Sequence, residues 1–366
     1  MKICYIGDAT SIHVKRWTKW FVERGYEVHL ITDRPDNIEG VKIHTVRLGR
    51  NPITFLIEAM QVKKLVKKIY PDILHAHYVS SYGFFAAFAN YHPFVVSVWG
   101  SDVLRDAKES FVKRMIVKYA LTRANIITFT AKFMENYIAE EFGLPRSKMV
   151  RVPGGADLRI FHRGYEEEVK ELRKKMGIKE NSPVIISNRH MHPKYEIQSI
   201  IESIPYVIDE YPNATFIFIK GNGEEAYEKE MEKLVSNLGV KDNVKFISKH
   251  VSPNEMAAYL NLSDILLSIP KTDQFARSVM EGMACGVIPI VSDIEAYKQY
   301  LKDKKNAFFV NPDNPREIAN KIIYCIKHPE LKETFYNINR KIIEENEDWN
   351  KNAKKMEKLY EELIGG

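Results

Sequence analysis

Two acidic residues eight positions apart border an apolar segment in the second half of the chain. In the stretch DQFARSVMEGMACGVIPIVSD, Asp273 precedes a helix-like run, Glu281 lies within it, and Gly286 follows it. Eight positions correspond to about 80° of rotation around one helix, so a single acidic helix face is not predicted. We instead expect Asp273 on a loop and Glu281 in the first turns of a helix that begins near Arg277 or Ser278 and ends at Gly286.

Two cations follow an earlier strand-like run, PVIISNR, and suit a diphosphate. Arg189 closes that run and Lys194 lies five residues later. A guanidinium binds phosphate oxygens as a planar fork, and an ammonium binds them as a point charge. Carboxylates accept hydrogen bonds from vicinal hydroxyls, so Asp273 and Glu281 could hold polyols on either side of a phosphate at the helix N-terminus. A sugar nucleotide has these parts. The alternative is that Asp273 caps a helix and Glu281 is a surface acid.

Short β-rich runs alternate with amphipathic helical stretches along the whole chain. Seven such runs precede a Gly pair and a charged segment near residues 155–166, and six follow. Open parallel sheets with helices on both faces give this alternation. We therefore predict an α/β protein of two doubly wound parallel-sheet, Rossmann-like domains facing across a cleft. Residues 1–160 form the first, with a C-terminal helix at about 347–366 packing back on it, and residues 161–346 form the second.

Polar residues follow two runs of the first domain, at the strand ends where such sheets bind ligands. One set is Gly7 and Asp8 after the first run, with His13 opening the next helix, and the other is Trp99 and Asp102. The first loop lacks GxGxxG, so a dinucleotide fingerprint is not predicted. The alternative for both sets is a plain turn whose polar residue caps a helix.

The composition is that of an ordinary globular protein. The chain of 366 residues is 45% apolar and 28% charged, with no low-complexity segment. No run approaches the roughly 18 apolar residues of a membrane span, and the first residues show no signal peptide, so we expect a cytoplasmic protein. Three cysteines in apolar stretches, without CxxC spacing, predict neither disulfides nor a zinc site.

The net charge of +6 raises two further hypotheses. A nucleic-acid partner is not predicted, because no recognised nucleic-acid module or arginine cluster accompanies the charge. The second hypothesis is peripheral contact with an anionic membrane, at its inner face, through the basic amphipathic stretches 62–68 and 111–118. The alternative for these stretches is a solvated helix face.

Motifs along nearly the whole chain resemble those of the GT-B retaining glycosyltransferases of family 4, also called glycosyl transferases group 1. Residues 273–290 resemble the E-x7-E motif and the "EAMACGxPVI" that follows it. The other matching segments are Gly7 with His13-Val14 (glycine loop and "HV"), Val98 to Asp102 ("xHGxD"), Val152 to Phe161 ("vPNGvDxxxF"), Arg189 with Lys194 ("GRLxxxKG"), Asn306 to Asp313 ("nGxLvppgD"), and Trp349 with Leu359-Tyr360 in the last helix.

The resemblance implies a transferase that uses a nucleoside-diphosphate sugar, needs no metal or other cofactor, and retains anomeric configuration. Arg189 and Lys194 would bind the diphosphate, Asp273 the transferred sugar and Glu281 the ribose, and the acceptor is unidentified. Further donor-binding residues are predicted in three segments: Gly221, Asn222, Gly223, Ser248, Phe275, Ala276 and Arg277. The alternative for Gly221, Asn222 and Gly223 is a plain turn between a strand and a helix. The acceptor-side residues are Gly7, Asp8, His13, Trp99 and Asp102.

Some positions depart from the family pattern. Trp99 stands where many members have His, and Tyr195 stands where Gly commonly follows the Lys. Gln274 and Ala276 replace two glycines. Two other classes therefore remain open: a GT-B sugar-nucleotide epimerase or hydrolase, and a catalytically silent nucleotide-sugar-binding protein.

Overall fold

The chain folds as two units in the computed structural model, which describes residues 1–48, 52–221, 223–247 and 250–365. Unit 1 comprises Met1–Gly154 together with Lys351–Gly366, and unit 2 comprises Gly155–Asn350. The last helix, Trp349–Gly365, begins in unit 2, and its residues from Lys351 onward belong to unit 1.

Unit 1 is built around a parallel sheet with the strand order β3-β2-β1-β4-β5-β6-β7. The strands are β1 (Lys2–Ile6), β2 (Glu27–Thr32), β3 (Val41–Thr45), β4 (Ile73–His77), β5 (Phe94–Ser97), β6 (Ile126–Phe129) and β7 (Met149–Arg151). The helices between them are α1 (Ile12–Val22), α2 (Pro52–Ile69), α3 (Phe84–Ala89), α4 (Ala107–Glu109), α5 (Phe111–Arg123) and α6 (Phe133–Phe142). The central strands are buried along their length because helices cover both faces of the sheet.

Unit 2 repeats this arrangement with the strand order β10-β9-β8-β11-β12-β13. The strands are β8 (Val184–Ser187), β9 (Thr215–Ile219), β10 (Val244–Ile247), β11 (Ile265–Ser268), β12 (Ile288–Ser292) and β13 (Phe308–Val310). The helices are α7 (Glu166–Met176), α8 (Ile197–Ile208), α9 (Glu225–Asn237), α10 (Pro253–Leu262), α11 (Arg277–Cys285), α12 (Glu295–Lys298), α13 (Pro315–Lys327) and α14 (Glu330–Asn346). The last helix, α15 (Trp349–Gly365), belongs to unit 1 from Lys351 onward.

Local sequence signals fix several helix ends. Ser252 and Glu255 form a capping box at the start of α10, and the Asn314 side chain caps α13 with Pro315 in its first position. These signals agree with the strand alternation, and the predicted class of two parallel-sheet α/β domains is confirmed.

Each sheet reverses its strand order beside its first strand. The reversal lies between β1 and β4 in unit 1 and between β8 and β11 in unit 2. A crevice opens outside the carboxyl ends of the strands at such a point, because the flanking helices lie on opposite faces of the sheet. Each unit therefore has a preferred ligand position, which is formed by the residues that follow these strands.

Candidate functional site

The loop after β11 and the helix α11 form one side of the crevice in unit 2. Helix α11 spans Arg277–Cys285, and Gly286 ends it in the left-handed conformation with φ 87°. Asp273 lies in the loop before the helix, and Glu281 lies in its second turn, 8% exposed. The predicted placement of the two acids, Asp273 on the loop and Glu281 on the helix, is confirmed.

Arg189 follows β8 and forms the other side of this crevice. One terminal nitrogen donates to Oδ2 of Asp273 at 2.6 Å, and the other donates to Oγ of Ser278 at 2.9 Å. Burial lowers the pKa of the Arg189 guanidinium, but Asp273, Tyr297 and Tyr195 together outweigh burial and raise it. The guanidinium is therefore a permanent buried cation, fixed to the loop and to the first turn of α11.

Lys194 lies in the short 3₁₀ turn Pro193–Tyr195, beyond Arg189. Its side chain is exposed, and its ammonium has no carboxylate partner in the part of the chain that the structure describes. Burial, followed by the positive charges of Arg189 and Lys194, lowers the pKa of His190. The crevice therefore carries a positive potential beside the N-terminus of α11, as an anion site requires.

The other predicted donor-binding residues of this loop and helix have structural contacts of their own. The Arg277 guanidinium pairs with Glu281 one turn along α11, at 3.0 Å. Phe275 is buried, with its ring edge-on to Tyr300 at a centroid distance of 5.1 Å. Ala276 is also buried and is the residue preceding α11. Phe275 and Ala276 thus fix the loop geometry that presents Asp273.

The loop after β9 requires small residues. Gly221 has φ +56°, and a Cβ there would overlap the His190 ring. A Cβ on Gly223 would lie 2.5 Å from the carbonyl oxygen of Met191. Both glycines are therefore needed for this loop to approach the segment after β8. Asn222 and Ser248, also predicted to bind the donor, lie outside the described residues.

In unit 1, the residues after β1 form a tight turn into α1. A Cβ on Gly7 would lie 3.2 Å from a Val14 methyl and 3.4 Å from Cβ of His77, so the turn packs closely against both. Asp8 accepts hydrogen bonds from the backbone and the hydroxyl of Thr10, at 2.9 and 2.6 Å. These contacts hold the loop, and the acceptor contacts of Gly7 and Asp8 stay predictions.

A row of aromatic rings runs from the core of unit 1 to the carboxyl ends of its strands. The His75 and His77 rings stack with centroids 4.5 Å apart, His77 lies 5.6 Å from Trp99, and Trp99 lies 4.5 Å from His13. Both strand histidines are buried. Burial lowers the pKa of His77 to about 3, so its ring is neutral at ordinary pH.

The two buried histidines differ in their hydrogen bonds. His75 bonds Ser97 Oγ at 2.7 Å through Nε2 and the Tyr360 hydroxyl of α15 through Nδ1. Neither ring nitrogen of His77 has a hydrogen-bond partner among the described residues. An imidazole buried without partners is uncommon, because each unpaired polar atom costs free energy. The hydrogen bonds of the described residues therefore do not explain why an imidazole lies at position 77.

Asp102 has contacts that make it part of the scaffold. It is fully buried and accepts hydrogen bonds from the backbone N–H groups of Val79, Gly100 and Val103, at 2.9, 2.8 and 3.1 Å, and from that of Trp99. Burial raises the pKa of this carboxyl to about 6, against the opposing effect of those N–H groups. The contacts favour the alternative role of Asp102, which is to fix the turn that carries Trp99.

Sequence reasoning did not select three residues that these contacts bring forward. Ser278 anchors Arg189, Tyr195 lies under two cations, and His77 ends β4. A signal existed for His77, because two histidines interrupt an otherwise apolar central strand, ILHAH. Tyr195 was visible only as a departure from the family pattern, and nothing in the sequence marked Ser278.

The described residues contain neither a candidate metal site nor a helix that could span a membrane. In the ranges that the structure describes, no group of three or more His, Cys, Asp or Glu side chains is placed to hold a metal ion. Over the same ranges, no helix combines the length and the apolar character that crossing a membrane would require.

Two family models match this chain. The model described as "Glycosyl transferase 4-like" matches residues 2–131, and the one described as "Glycosyl transferases group 1" matches residues 168–356. The second match covers the crevice of unit 2, including Arg189, Lys194, Asp273 and Glu281.

Similar proteins and structures cover most of the chain. N-acetyl-alpha-D-glucosaminyl L-malate synthase of Bacillus anthracis is 22% identical, covering 86% of this chain and 83% of that protein. Alpha-monoglucosyldiacylglycerol synthase of Acholeplasma laidlawii is 23% identical, with 85% and 83% covered. The crystal structure of Anabaena HepE in complex with UDP and glucose has a TM-score of 0.82 at 16% identity, covering 99% of this chain and 100% of that one. At this identity the structural likeness shows the fold alone.

Proposed function

Because this chain belongs to the glycosyl transferases group 1 family and is a glycosyltransferase, we propose that it transfers a sugar from a nucleoside-diphosphate sugar to an acceptor hydroxyl, with retention of anomeric configuration. The observation that carries the proposal is the crevice of unit 2. Two cations, Arg189 and Lys194, lie near the N-terminus of α11, with Asp273 and Glu281 on its loop and second turn.

The proposed donor contacts follow from the charges. The diphosphate binds Arg189, Lys194 and the helix N-terminus, where positive charge meets the negative charge that develops on the leaving phosphate. Glu281 accepts hydrogen bonds from the ribose hydroxyls, and Asp273 accepts them from the transferred sugar. Because Arg189 pairs with Asp273 at 2.6 Å, a bound diphosphate competes with this carboxylate for the guanidinium. Two HepE structures are complexes with UDP and with UDP-glucose, which makes uridine nucleotides the first to test.

We propose a front-face reaction for the transfer step. The bond between the anomeric carbon and the leaving phosphate oxygen breaks, and the acceptor oxygen attacks on the same face of the sugar. The leaving phosphate oxygen takes the acceptor proton, so no enzyme carboxylate acts as nucleophile. Arg189 and Lys194 stabilise the departing diphosphate, which is the charge stabilisation that a metal ion supplies in other transferases. We therefore expect activity to survive excess EDTA, and a complete loss that Mg²⁺ restores would contradict this role of the cations.

The experiment that tests the proposal is a thermal-shift screen against UDP, GDP and ADP and their common hexose conjugates. We expect at least one nucleoside diphosphate to raise the melting temperature, because a ligand that binds only the folded state stabilises it. NMR of the product formed from the matching α-linked donor then gives the anomeric configuration. An inverted product would contradict retention. Donor breakdown without any transfer would favour an epimerase or hydrolase, and binding without turnover would favour a silent binding protein.

A second proposal concerns an anionic membrane surface on unit 1. Helix α5 exposes Phe111 by 76% and Val112 by 65%, beside the basic residues Lys113 and Lys118. Helix α2 exposes Leu56, Ile57 and Met60 ahead of a run of lysines, and both helices pack against α3. The exposed apolar residues beside the lysines favour the lipid hypothesis, since a helix face that contacts only water does not need large apolar side chains. The protein would then bind peripherally to the cytoplasmic face of a membrane.

Vesicle sedimentation tests the membrane proposal. We expect binding to vesicles that contain phosphatidylglycerol but not to phosphatidylcholine alone, with about 1 kcal/mol lost per basic residue removed. Replacing Phe111 and Val112 by Ser should weaken binding. Leu238→Ser, which removes an exposed apolar side chain of unit 2, is the control and should not. Absence of sedimentation at low salt would contradict the proposal.

A further inference from the structure

One aromatic ring lies against both cations of the unit 2 crevice. The guanidinium carbon of Arg189 lies 4.0 Å from the Tyr195 ring centroid, and the Lys194 ammonium nitrogen lies 4.7 Å from it. Both distances are within the range of a cation–π contact. The two positive charges therefore contact the same aromatic side chain.

The Tyr195 ring can reduce the repulsion between Arg189 and Lys194 without removing their positive charge, which a carboxylate cannot do. Two like charges at short range repel each other, most strongly where water is partly excluded. An acid between them would remove the repulsion, but it would also cancel the charge that attracts a diphosphate. The face of an aromatic ring attracts cations through its quadrupole and carries no net charge. Asp273 already neutralises Arg189 in part. The Tyr195 ring contacts Lys194 without adding a negative charge beside it.

Tyr195 is itself held in place. Its ring is half-buried and packs against the apolar core of unit 2 around α8 and β9. Lys194 and Tyr195 occupy the same 3₁₀ turn, whose Lys194 backbone N–H donates to Nδ1 of His192 at 3.1 Å. The ring thus connects a rigid part of the unit to the exposed side chain of Lys194. Without this contact, the lysine would lose more rotational freedom when it binds a ligand.

We propose that Tyr195 is a positioning residue for the diphosphate, acting through Arg189 and Lys194. Its ring contacts both cations without adding a negative charge, so a diphosphate that displaces Asp273 from Arg189 meets a preorganised pair. The inference rests on the proposed donor site and adds to it a residue that stands where the family commonly has Gly.

Binding measurements on ring variants test this inference. Calorimetry with UDP, uridine and inorganic pyrophosphate separates phosphate binding from nucleoside binding. For Tyr195→Leu, which keeps bulk and removes the ring face, we expect about 10-fold weaker binding of UDP and pyrophosphate and unchanged binding of uridine. For Tyr195→Phe, which keeps the ring, we expect affinities within roughly 2-fold of the wild type.

Two comparisons make the test specific. Tyr206→Leu removes another tyrosine of unit 2, whose ring lies 5.3 Å from the Arg316 guanidinium carbon, and should leave all three affinities unchanged. In a Lys194→Ala background, Tyr195→Leu should cost less than it does alone, because one of the two cations that it holds is gone.

The outcomes separate the inference from the function on which it rests. A Tyr195→Leu variant that binds UDP and pyrophosphate as the wild type does, or that loses uridine equally, would overturn the role of the ring. So would an equal loss in Tyr195→Phe, which would assign the effect to the hydroxyl. If the wild-type chain bound neither UDP nor pyrophosphate, both the proposed donor site and the role of Tyr195 would fall.

Discussion

The two units place opposite chemistry at equivalent positions of similarly ordered sheets. After β8 and β11, unit 2 has a buried guanidinium, an exposed ammonium and two carboxylates. After β1 and β4, unit 1 has a tight glycine turn and a buried, neutral imidazole beside Trp99. The strand order determines where a crevice forms, but it does not determine what the crevice binds.

The difference lies in the charge that each region carries. The crevice of unit 2 suits an anion, because its cations cluster at a helix N-terminus. The ring row of unit 1 contains a His77 imidazole that burial keeps neutral. Breaking each region should therefore have different consequences: loss of catalysis and anion binding in unit 2, and changes in folding stability in unit 1.

The largest effect is expected from removing the unit 2 cations. Arg189→Ala and Lys194→Ala should each lower turnover by about 10² to 10³, the usual loss when one group that stabilises developing charge is removed. Arg189→Ala should also lower the free energy of unfolding by about 1 to 3 kcal/mol, because it leaves Asp273 without its charged partner. Lys194→Ala should not, since no carboxylate of the described chain pairs with it. Steady-state kinetics with thermal unfolding measures both, and near-wild-type turnover in both variants would remove the diphosphate assignment.

The two acids of unit 2 should give separable defects. Asp273→Asn should depress kcat strongly and leave UDP binding at least as tight as in the wild type, because the change frees Arg189 and UDP lacks the transferred sugar that Asp273 would contact. Glu281→Gln should weaken UDP by about 1 to 3 kcal/mol and raise the donor KM. Calorimetry and kinetics of both variants decide the matter. Equal loss of UDP binding in the two would contradict the division of roles.

In unit 1, the two strand histidines form a matched pair for stability. His75→Leu should cost about 1 to 3 kcal/mol, because it removes two buried hydrogen bonds and leaves the hydroxyls of Ser97 and Tyr360 with only their other partners, Thr128 and Tyr5. His77→Leu should leave the free energy of unfolding unchanged or about 1 kcal/mol higher, because it removes two unpaired polar atoms. Denaturant unfolding measures both. A His77 variant as destabilised as the His75 variant would show that His77 has a structural role that its contacts do not reveal.

The smallest effect is the pH dependence of unit 1. The pKa of His77 is lowered by burial from 6.5 to about 3, so between these values the unfolded chain binds a proton that the folded chain does not. Stability from this residue is present above pH 6.5 and is lost as the pH falls, by about 1.4 kcal/mol per pH unit. His77→Leu should reduce this slope, as measured by unfolding between pH 7 and roughly pH 5. An unchanged slope would mean that the His77 ring is not buried as a neutral group.

Much of this organisation could be read from the sequence. The runs KICYI, ILHAH and VIIS are β-rich and apolar, and buried parallel strands require that composition. Gly286 fixed the end of α11, because its left-handed conformation suits glycine. Arg189, Lys194, Asp273 and Glu281 were chosen from residue type and position after predicted strands, and the structure brings Arg189 and Asp273 into direct contact.

The amino-acid sequence by itself determined the elements and the residues at their ends, because backbone preference and hydrophobic periodicity are local properties. Only the tertiary structure decided which side chains meet. Arg189 meets Asp273 across 84 positions, and His75 meets Tyr360 across 285. Such contacts depend on strand order and on how the chain returns, which no local pattern encodes. For the same reason, the tertiary structure alone showed that Asp102 accepts hydrogen bonds from backbone N–H groups and that one tyrosine ring lies against two cations. It also showed that the His77 ring nitrogens have no hydrogen-bond partner among the described residues.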